Sequence, residues 1–150
     1  MGKVQILAVL TMDGCLSSEL YDKAHQDLCL DRCGLDEIRK KAFYRVTPDY
    51  SISMLHEWRK DCTNIRYLAE ATPDTADYIN GLLRMHAVDE IILYTVPFIS
   101  GSGRHFFKSA LPEQHWTLSS LKSYPNGVCR IIYILSLIHI SEPTRPEPIS

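Results

Sequence analysis

Two segments of the chain are almost continuously apolar over the length of a β-strand. Residues 3–10 read KVQILAVL and residues 90–96 read EIILYTV, and both are rich in aliphatic and β-branched side chains. Runs of this kind are typical of strands that are buried on both faces of a sheet. A third strand is predicted over residues 64–71, NIRYLAEA, and a short edge strand is predicted before Pro48.

Apolar residues at helical spacing separate the predicted strands. Met54, Trp58 and Cys62 recur every four residues, which places them on one side of a helix. Three further segments show helical spacing or helix start signals. The predicted helices cover residues 17–28, 35–43, 51–62 and 71–87.

The helix over residues 71–87 has the strongest start signal. Thr72 is a suitable N-cap, Pro73 fits the first helical position, and Asp74 places a negative charge in the first turn. We therefore expect this helix to begin at Pro73, directly after the third strand.

The C-terminal third combines a short predicted helix with a hairpin. Residues 103–111, GRHFFKSAL, are expected to be helical, and residues 115–124 to form a strand. Asn126 and Gly127 are the residues favoured in a hairpin turn, so residues 128–134 are expected to return antiparallel to that strand. This pattern predicts an α/β fold, a mostly parallel central sheet flanked by helices with a C-terminal antiparallel hairpin.

Length, charge and cysteine content limit the function classes. The 150 residues suffice for one domain, and a net charge of −2 with a pI near 6.3 provides no basic surface for nucleic acid or an anionic membrane. Five cysteines at irregular spacing favour reduced thiols and a cytoplasmic location. Cys29 and Cys33 have no second pair at metal-ligand spacing, so no metal site is predicted.

The last 16 residues differ in character from the rest of the chain. Residues 135–145, LSLIHISEPTR, resemble the conceptual translation of a transposase adapter used in DNA-library preparation. The apolar run that precedes the prolines of this segment has about half the length that a membrane-spanning helix requires. We expect a natural domain over residues 1–134 and a non-native tail over residues 135–150.

Three loops are predicted to meet at one edge of the sheet. Parallel strands joined by helical crossovers end at the same edge, where ligands of open α/β sheets bind. The loops are TMDGC at residues 11–15, EATPD at residues 70–74 and PFISGSGR at residues 97–104. Because Gly101 and Gly103 allow the backbone to approach a ligand closely, the sequence predicts a small-molecule site between these loops.

The order of these motifs resembles the dihydrofolate-reductase-like family, in the branch of the riboflavin-biosynthesis reductase domain. The first strand of that family ends in Ser-Leu-Asp-Gly, and residues 11–14 read TMDG here. Its later half runs through a helix, a Leu-Val-Asp-Glu connector, a strand, a proline, a Gly-x-Gly loop and a phenylalanine. The corresponding residues 80–107 read NGLLRMHAVDEIILYTVPFISGSGRHFF. The resemblance covers residues 3–17 and 51–134.

The resemblance implies a homodimeric, NADPH-dependent reductase that acts on a pyrimidine or pterin heterocycle. By family position, Thr11 and Asp13 lie beside the nicotinamide and the substrate and are the implied catalytic residues. The segment that begins at Glu70 replaces a Glu-Gly-Gly of the family, which meets the cofactor phosphates. The implied cofactor-binding residues are Glu70, Ala71, Thr72, Gly101, Ser102, Gly103 and Arg104.

Two departures from the family favour an alternative, a degenerate non-catalytic member that binds a ligand or dimerises. Pro73 removes an amide donor, and Asp74 places negative charge where a phosphate would bind. The segment between Gly14 and Ser51 is too short for the additional strands and the second cofactor-contacting loop of the family. The fold is therefore expected to be a shortened version.

Most candidate residues also have a structural interpretation. Asp13 belongs to an Asp-Gly pair, which is common in turns. Glu70 suits a capping or surface role, and Arg104 suits a solvated helix start. Asp89 and Glu90 are interpreted as a structural connector between helix and strand, not as a catalytic pair of carboxylates.

Overall fold

The computed structural model describes residues 2–16, 34–42, 44–61, 65–97, 99, 101, 104–107 and 111–135. Within these ranges the chain forms strands β1 (Lys3–Leu10), β2 (Cys15–Leu16), β3 (Tyr44–Arg45), β4 (Arg66–Glu70), β5 (Glu90–Thr95), β6 (Arg104–His105), β7 (Trp116–Ser123) and β8 (Cys129–Leu135). The helices in the same ranges are α1 (Leu35–Lys41), α2 (Ile52–Asp61) and α3 (Ala76–Arg84).

Six of the strands form one sheet in the order β3-β4-β1-β5-β8-β7. β3, β4, β1 and β5 run parallel, whereas β8 is antiparallel to both β5 and β7. The two long apolar runs, β1 and β5, are neighbours in the middle of the sheet, where both faces are covered. The predicted α/β fold with a C-terminal antiparallel hairpin is therefore confirmed.

Helices cover both faces of the sheet. α2 and α3 pack on one face, in a core that contains Val4 and Ile6. α1 packs on the other face, where Leu35 shares a second core with Leu7 and Leu68. Because successive side chains of a strand point to opposite faces, β1 supplies both cores.

Gly81 lies where α3 approaches α2. A Cβ atom at this position would stand 3.3 Å from the Cδ1 atom of Ile52, so glycine permits the close packing of the two helices. Glycine inside a helix costs about 1 kcal/mol relative to alanine. The fully buried Ile79 and Leu82 of the same helix offset that cost.

The predicted helix over residues 103–111 is wrong in its described part. Arg104 and His105 form β6, which pairs antiparallel with Leu16 and Cys15 of β2. Phe106 follows and is fully buried in the core on the side of α2 and α3. Pairing with a segment far away in the sequence, together with the burial of Phe106, outweighs the local helical composition.

The predicted start of α3 at Pro73 is also wrong, since the helix begins at Ala76. Residues 72–75 form a turn instead, in which the Thr75 N–H donates to the Thr72 carbonyl oxygen at 3.1 Å. The Thr75 hydroxyl donates to the Glu70 carbonyl oxygen at 2.8 Å and so ties the turn to the end of β4. Thr75, not Thr72, is the N-cap residue.

The hairpin of β7 and β8 contains a β-bulge that changes which side chains share a face. Leu118 stands opposite Tyr133, and Leu121 stands opposite Ile131. Since Tyr133 and Ile131 are two residues apart on β8, both leucines lie on the same face of the sheet. They are 52% and 62% exposed, respectively.

Asp89 connects α3 to β5 through backbone contacts, as its structural interpretation predicted. Its N–H donates to the Val4 carbonyl oxygen at 2.9 Å, and its carboxylate accepts from the Val4 N–H at 2.9 Å. Glu90, the first residue of β5, accepts a hydrogen bond from the Nε2 atom of Gln5. These contacts fix the register of β5 against β1.

Several predictions concern residues outside the described ranges: the helix over residues 17–28, the pair Cys29 and Cys33, Cys62, and residues 136–150. Leu135 is the last residue of β8 and stands opposite Trp116. Of the described cysteines, Cys15 is buried and Cys129 is half-buried, and both are free thiols. Among the described helices, none combines the length and the apolar character needed to cross a bilayer.

Candidate functional site

The loop after β1 is a tight turn organised by Thr11. The buried Thr11 hydroxyl donates to the Asp13 carboxylate and accepts from the Cys15 N–H at 3.0 Å. Gly14 has a φ of 78°, and its N–H donates to the Thr11 carbonyl oxygen at 3.0 Å. This left-handed conformation favours glycine, which explains the Asp-Gly pair. The turn holds the half-buried Asp13 carboxylate in place at the end of β1.

The loops after β1 and β5 meet through Asp13. Its Oδ2 atom accepts a hydrogen bond from the Gly101 N–H at 3.0 Å. The two strands stay paired up to this point, since the Val96 N–H donates to the Leu10 carbonyl oxygen at 2.9 Å. The structure thus brings together Thr11, Asp13 and Gly101, which we call the Asp13–Gly101 rim.

The pairing of β2 with β6 places a thiol and an imidazole beside this rim. The Cys15 Sγ atom lies 3.9 Å from the Nδ1 atom of His105. The two residues are 90 positions apart in the sequence, so no local motif relates them. The backbone of Arg104 belongs to β6, whereas its side chain, Ser102 and Gly103 lie outside what the structure describes.

Asn80 is a buried polar residue that sequence analysis did not single out. Its Nδ2 atom donates to the Ala76 carbonyl oxygen at 2.7 Å and to the Phe106 carbonyl oxygen at 2.8 Å. The side chain therefore fixes the segment after β6 to α3. A signal was present in the sequence, because Asn80 is a polar residue between the apolar Ile79 and Leu83 on a predicted helix.

Glu70 lies at the end of β4 and is held by two arginines. Its carboxylate is 2.8 Å from the Nη2 atom of Arg39 and 2.6 Å from the Nη1 atom of Arg45. The Glu70 side chain is only 19% exposed, so solvent screens these ion pairs less than a fully exposed pair. Glu70 therefore joins β4 to α1 and β3, and nothing in its local sequence indicates either arginine.

In the segment between β4 and α3, the amides of Ala71, Thr72 and Thr75 already donate hydrogen bonds within the protein. The Ala71 N–H donates to β1 at 2.8 Å, and the Thr72 N–H donates to the Thr75 hydroxyl at 2.8 Å. The Thr75 N–H donates back to Thr72, and Pro73 has no N–H. A pyrophosphate at a helix start needs free amide donors, and Asp74 adds a negative charge. The turn over residues 72–75 therefore offers a pyrophosphate no free amide at Thr72, Pro73 or Thr75.

The Asp13–Gly101 rim contains a carboxylate that accepts hydrogen bonds, on Asp13, and a buried hydroxyl, on Thr11. A carboxylate that is already oriented by Thr11 can accept further N–H groups from a small ligand. Within the described ranges, no three His, Cys, Asp or Glu side chains come together as ligands for a metal ion. The rim therefore offers a carboxylate acceptor to a group that carries N–H or O–H donors.

No protein-family model and no curated protein matches the sequence. Solved structures do match. A putative riboflavin biosynthesis protein from Shewanella sp. PV-4 matches with a TM-score of 0.60 at 11% identity, over 89% of this chain and 99% of that chain. A pyrimidine reductase-like protein from Corynebacterium diphtheriae matches with a TM-score of 0.53 at 13% identity, over 89% and 92%.

RibD from Acinetobacter baumannii also matches, with a TM-score of 0.56 at 12% identity over 91% of this chain. The chain spans 58% of the length of that protein. At these identities the likeness shows the fold, and it confirms the expected dihydrofolate-reductase-like architecture. The chain has the α/β fold of the riboflavin-biosynthesis and pyrimidine reductase-like proteins.

Proposed function

We propose that this chain is a reductase-type domain of the riboflavin-pathway kind, which uses NADPH to reduce a pyrimidine or pterin heterocycle. The fold that it shares with riboflavin-biosynthesis and pyrimidine reductase-like proteins supports the reaction class. The observation that carries the proposal is the hydrogen bond from the Gly101 N–H to Asp13, which joins two loops at the edge where such folds bind ligands.

In this proposal Thr11 and Asp13 face the heterocycle. A pyrimidine or pterin ring presents N–H donors beside carbonyl acceptors, and the Asp13 carboxylate is a matching acceptor. Gly101, Ser102, Gly103 and Arg104 are the residues expected near the cofactor. In this proposal the turn over residues 72–75 does not hold the cofactor phosphates, because the Thr72 and Thr75 amides bond within the turn and Pro73 has no N–H.

A second candidate function is a non-catalytic domain that binds a ligand or dimerises. The turn before α3 favours this non-catalytic function. Thr72 and Thr75 hydrogen-bond to each other there, where the related enzymes are expected to expose glycine amides. The Asp13–Gly101 rim would then bind a heterocycle without a cofactor.

One experiment separates the two functions. The full chain is titrated with NADPH up to millimolar concentration, and cofactor fluorescence and melting temperature are followed. NADPH oxidation is then measured with an added aminouracil or pterin. Protein-dependent oxidation that falls in the Asp13→Asn variant supports the reductase, and an Asp49→Asn variant at an exposed position serves as the matched control. Failure to bind NADPH would leave the second candidate.

We also propose that the domain acts as a homodimer in the cytoplasm. Leu118 and Leu121 expose apolar surface on the outermost strand of the sheet, next to a cavity lined by Leu93, Trp116 and Tyr133. Exposed apolar patches of this kind are typical of interaction surfaces. The free thiols of the described cysteines agree with a reducing compartment.

A further inference from the structure

We propose that the face of the sheet covered by α1 carries a second ligand site, which binds a small, doubly charged oxyanion such as a phosphate monoester. This proposal does not depend on the reductase function, because the site shares no lining residue with the Asp13–Gly101 rim. The argument uses a cavity, three positively charged side chains and a buried guanidinium nitrogen that has no hydrogen-bond partner among the described residues.

The cavity lies between α1 and the sheet and has a volume of about 250 Å³. α1 contributes Lys41, while Gln5, Arg66 and Arg130 come from β1, β4 and β8. A single water molecule needs only about 15 Å³ of such space. The cavity is therefore large enough for an organic ligand of several heavy atoms.

Arg130 is the most informative residue of this cavity. Its Nε atom is buried and has no hydrogen-bond partner in the part of the chain that the structure describes. A buried donor without a partner is unfavourable, so an acceptor in a bound state would remove that penalty.

The backbone of α1 leaves room for the Arg130 guanidinium. A Cβ atom at Gly34 would stand 3.2 Å from the Nη1 atom of Arg130, which is closer than most side chains tolerate. Gly34 also has a φ of 84°, a conformation that favours glycine. Glycine at position 34 therefore leaves space beside the guanidinium that a Cβ atom would reduce.

The charge of the lining favours an anion. Lys41, Arg66 and Arg130 carry three positive charges, against two negative charges on Glu37 and Glu90. Within the described ranges, none of the three cations takes part in an ion pair. Glu90 already accepts a hydrogen bond from β1. A bound anion would relieve the repulsion among the cations.

The side chains also indicate the kind of anion. Guanidinium groups bind phosphate and carboxylate oxygens through paired N–H donors, and Lys41 adds a point charge. Ile92 and Ile132 form an apolar part of the lining, which suits a short carbon skeleton attached to the oxyanion. A phosphate monoester and a dicarboxylate share this chemistry.

The test measures anion binding to the full chain. Melting temperature and calorimetric affinity are measured with inorganic phosphate and, separately, with succinate, at constant ionic strength set by chloride. We expect phosphate to raise the melting temperature, because it binds the folded state. Arg130→Gln should weaken phosphate binding at least about tenfold, and Arg66→Gln or Lys41→Gln about threefold each.

Two variants locate the site. Lys60→Gln removes an exposed positive charge from α2, on the other face of the sheet, and should leave the phosphate affinity unchanged. Asp49→Asn changes an exposed residue outside the cavity lining and should also leave it unchanged. Arg66 and Lys41 are exposed, so their variants are expected to fold even where Arg130→Gln does not.

The outcomes decide the proposal. Weaker binding in the variants of Lys41, Arg66 and Arg130, but not in that of Lys60, supports the site. A response to succinate as strong as that to phosphate assigns a general dianion site, and a response to phosphate alone assigns a phosphate-selective site. The proposal is overturned by the absence of any phosphate response, or by equal responses in wild type and the Arg66→Gln and Lys41→Gln variants.

Discussion

At the scale of single residues, the hydrogen bonds of Asp13 indicate a structural role, and its carboxylate can also contact a ligand. It accepts from the Thr11 hydroxyl and from the Gly101 N–H, so it holds the loop after β5 against the turn after β1. Hydrogen bonds to a charged acceptor are stronger than those to a neutral one. The same carboxylate can therefore be a structural residue and the acceptor that a ligand meets.

Replacing Asp13 with asparagine keeps the shape of the side chain and removes its charge. We expect the free energy of unfolding to fall by about 1 kcal/mol, since the half-buried group loses a charge-assisted bond to Gly101. Urea unfolding measures the change. Asp49→Asn, at an exposed position, should have almost no effect, and an equal loss in both variants would contradict the role of Asp13.

Tyr78 provides a pH-dependent prediction. Burial raises the pKa of its hydroxyl above the ordinary value of 10.0, and the hydroxyl donates to the Tyr50 carbonyl oxygen at 2.7 Å. The unfolded chain therefore loses this proton at a lower pH than the folded chain. The contribution of Tyr78 to stability is complete below pH 10.0 and declines as the pH rises from there through the raised folded-state pKa.

We expect Tyr78→Phe to lower the free energy of unfolding at neutral pH by about 1 kcal/mol, because the bond to Tyr50 is lost. The variant should also lose stability less steeply than wild type in alkaline solution. Urea unfolding across the alkaline range measures both effects. Tyr133→Phe is the control, and parallel curves for Tyr78→Phe and wild type would show that the Tyr78 hydroxyl does not contribute.

At the scale of elements, the segment between β4 and α3 limits what the helix start can bind. Thr75 occupies the N-cap position, and its hydroxyl accepts from the Thr72 N–H instead of from an amide of the helix. Pro73 removes a further donor. The turn before the helix therefore has no free amide at Thr72, Pro73 or Thr75, at the end where the helix dipole would favour an anion.

A double variant tests whether the lack of free amides before α3 weakens NADPH binding. Pro73→Gly together with Thr75→Ala restores one amide donor and frees another, so we expect NADPH affinity to rise about threefold or more. Loss of the Thr75 hydroxyl, which donates to the Glu70 carbonyl oxygen, should lower the free energy of unfolding by about 1 kcal/mol. Thr117→Ala on β7 is the control for both measurements. Unchanged NADPH affinity would show that the start of α3 does not decide cofactor binding.

Local sequence signals were reliable where an element depends on its own residues and failed where it depends on a distant partner. β1, β5 and the hairpin were predictable from apolar runs and turn residues. β6 was not, because only its pairing with Cys15 and Leu16 makes it a strand. The start of α3 was misplaced since the Thr72–Thr75 contact competes with a helical turn at that point.

At the scale of the whole molecule, the parallel arrangement of the strands made the contact between the Asp13 and Gly101 loops predictable. The shared edge of parallel strands led to the meeting of the Asp13 and Gly101 loops, which the structure contains. The two arginines that hold Glu70 come from α1 and β3, at sequence separations of 31 and 25 residues. Ion pairs between residues so far apart in the sequence form only in the packed fold, so no local sequence motif predicts them.

The proposed dimer also belongs to this scale. The β-bulge in β7 places Leu118 and Leu121 on one face, so a charge at position 121 would stand inside the contact. We expect Leu121→Glu to make the protein monomeric in sedimentation velocity without a large loss of stability. Thr117→Glu introduces the same charge outside this face and should leave the dimer intact. Dissociation in both variants, or in neither, would exclude this face as the interface.

The direction of β8 has a practical consequence. Because β8 is antiparallel to β5, its last residue, Leu135, lies beside Asp89, at the opposite end of the sheet from Asp13. A chemical tether attached beyond Leu135 would therefore immobilise the protein with the Asp13 loop directed away from the support. An immobilised sample of this kind would keep that loop open to incoming ligands during repeated washing.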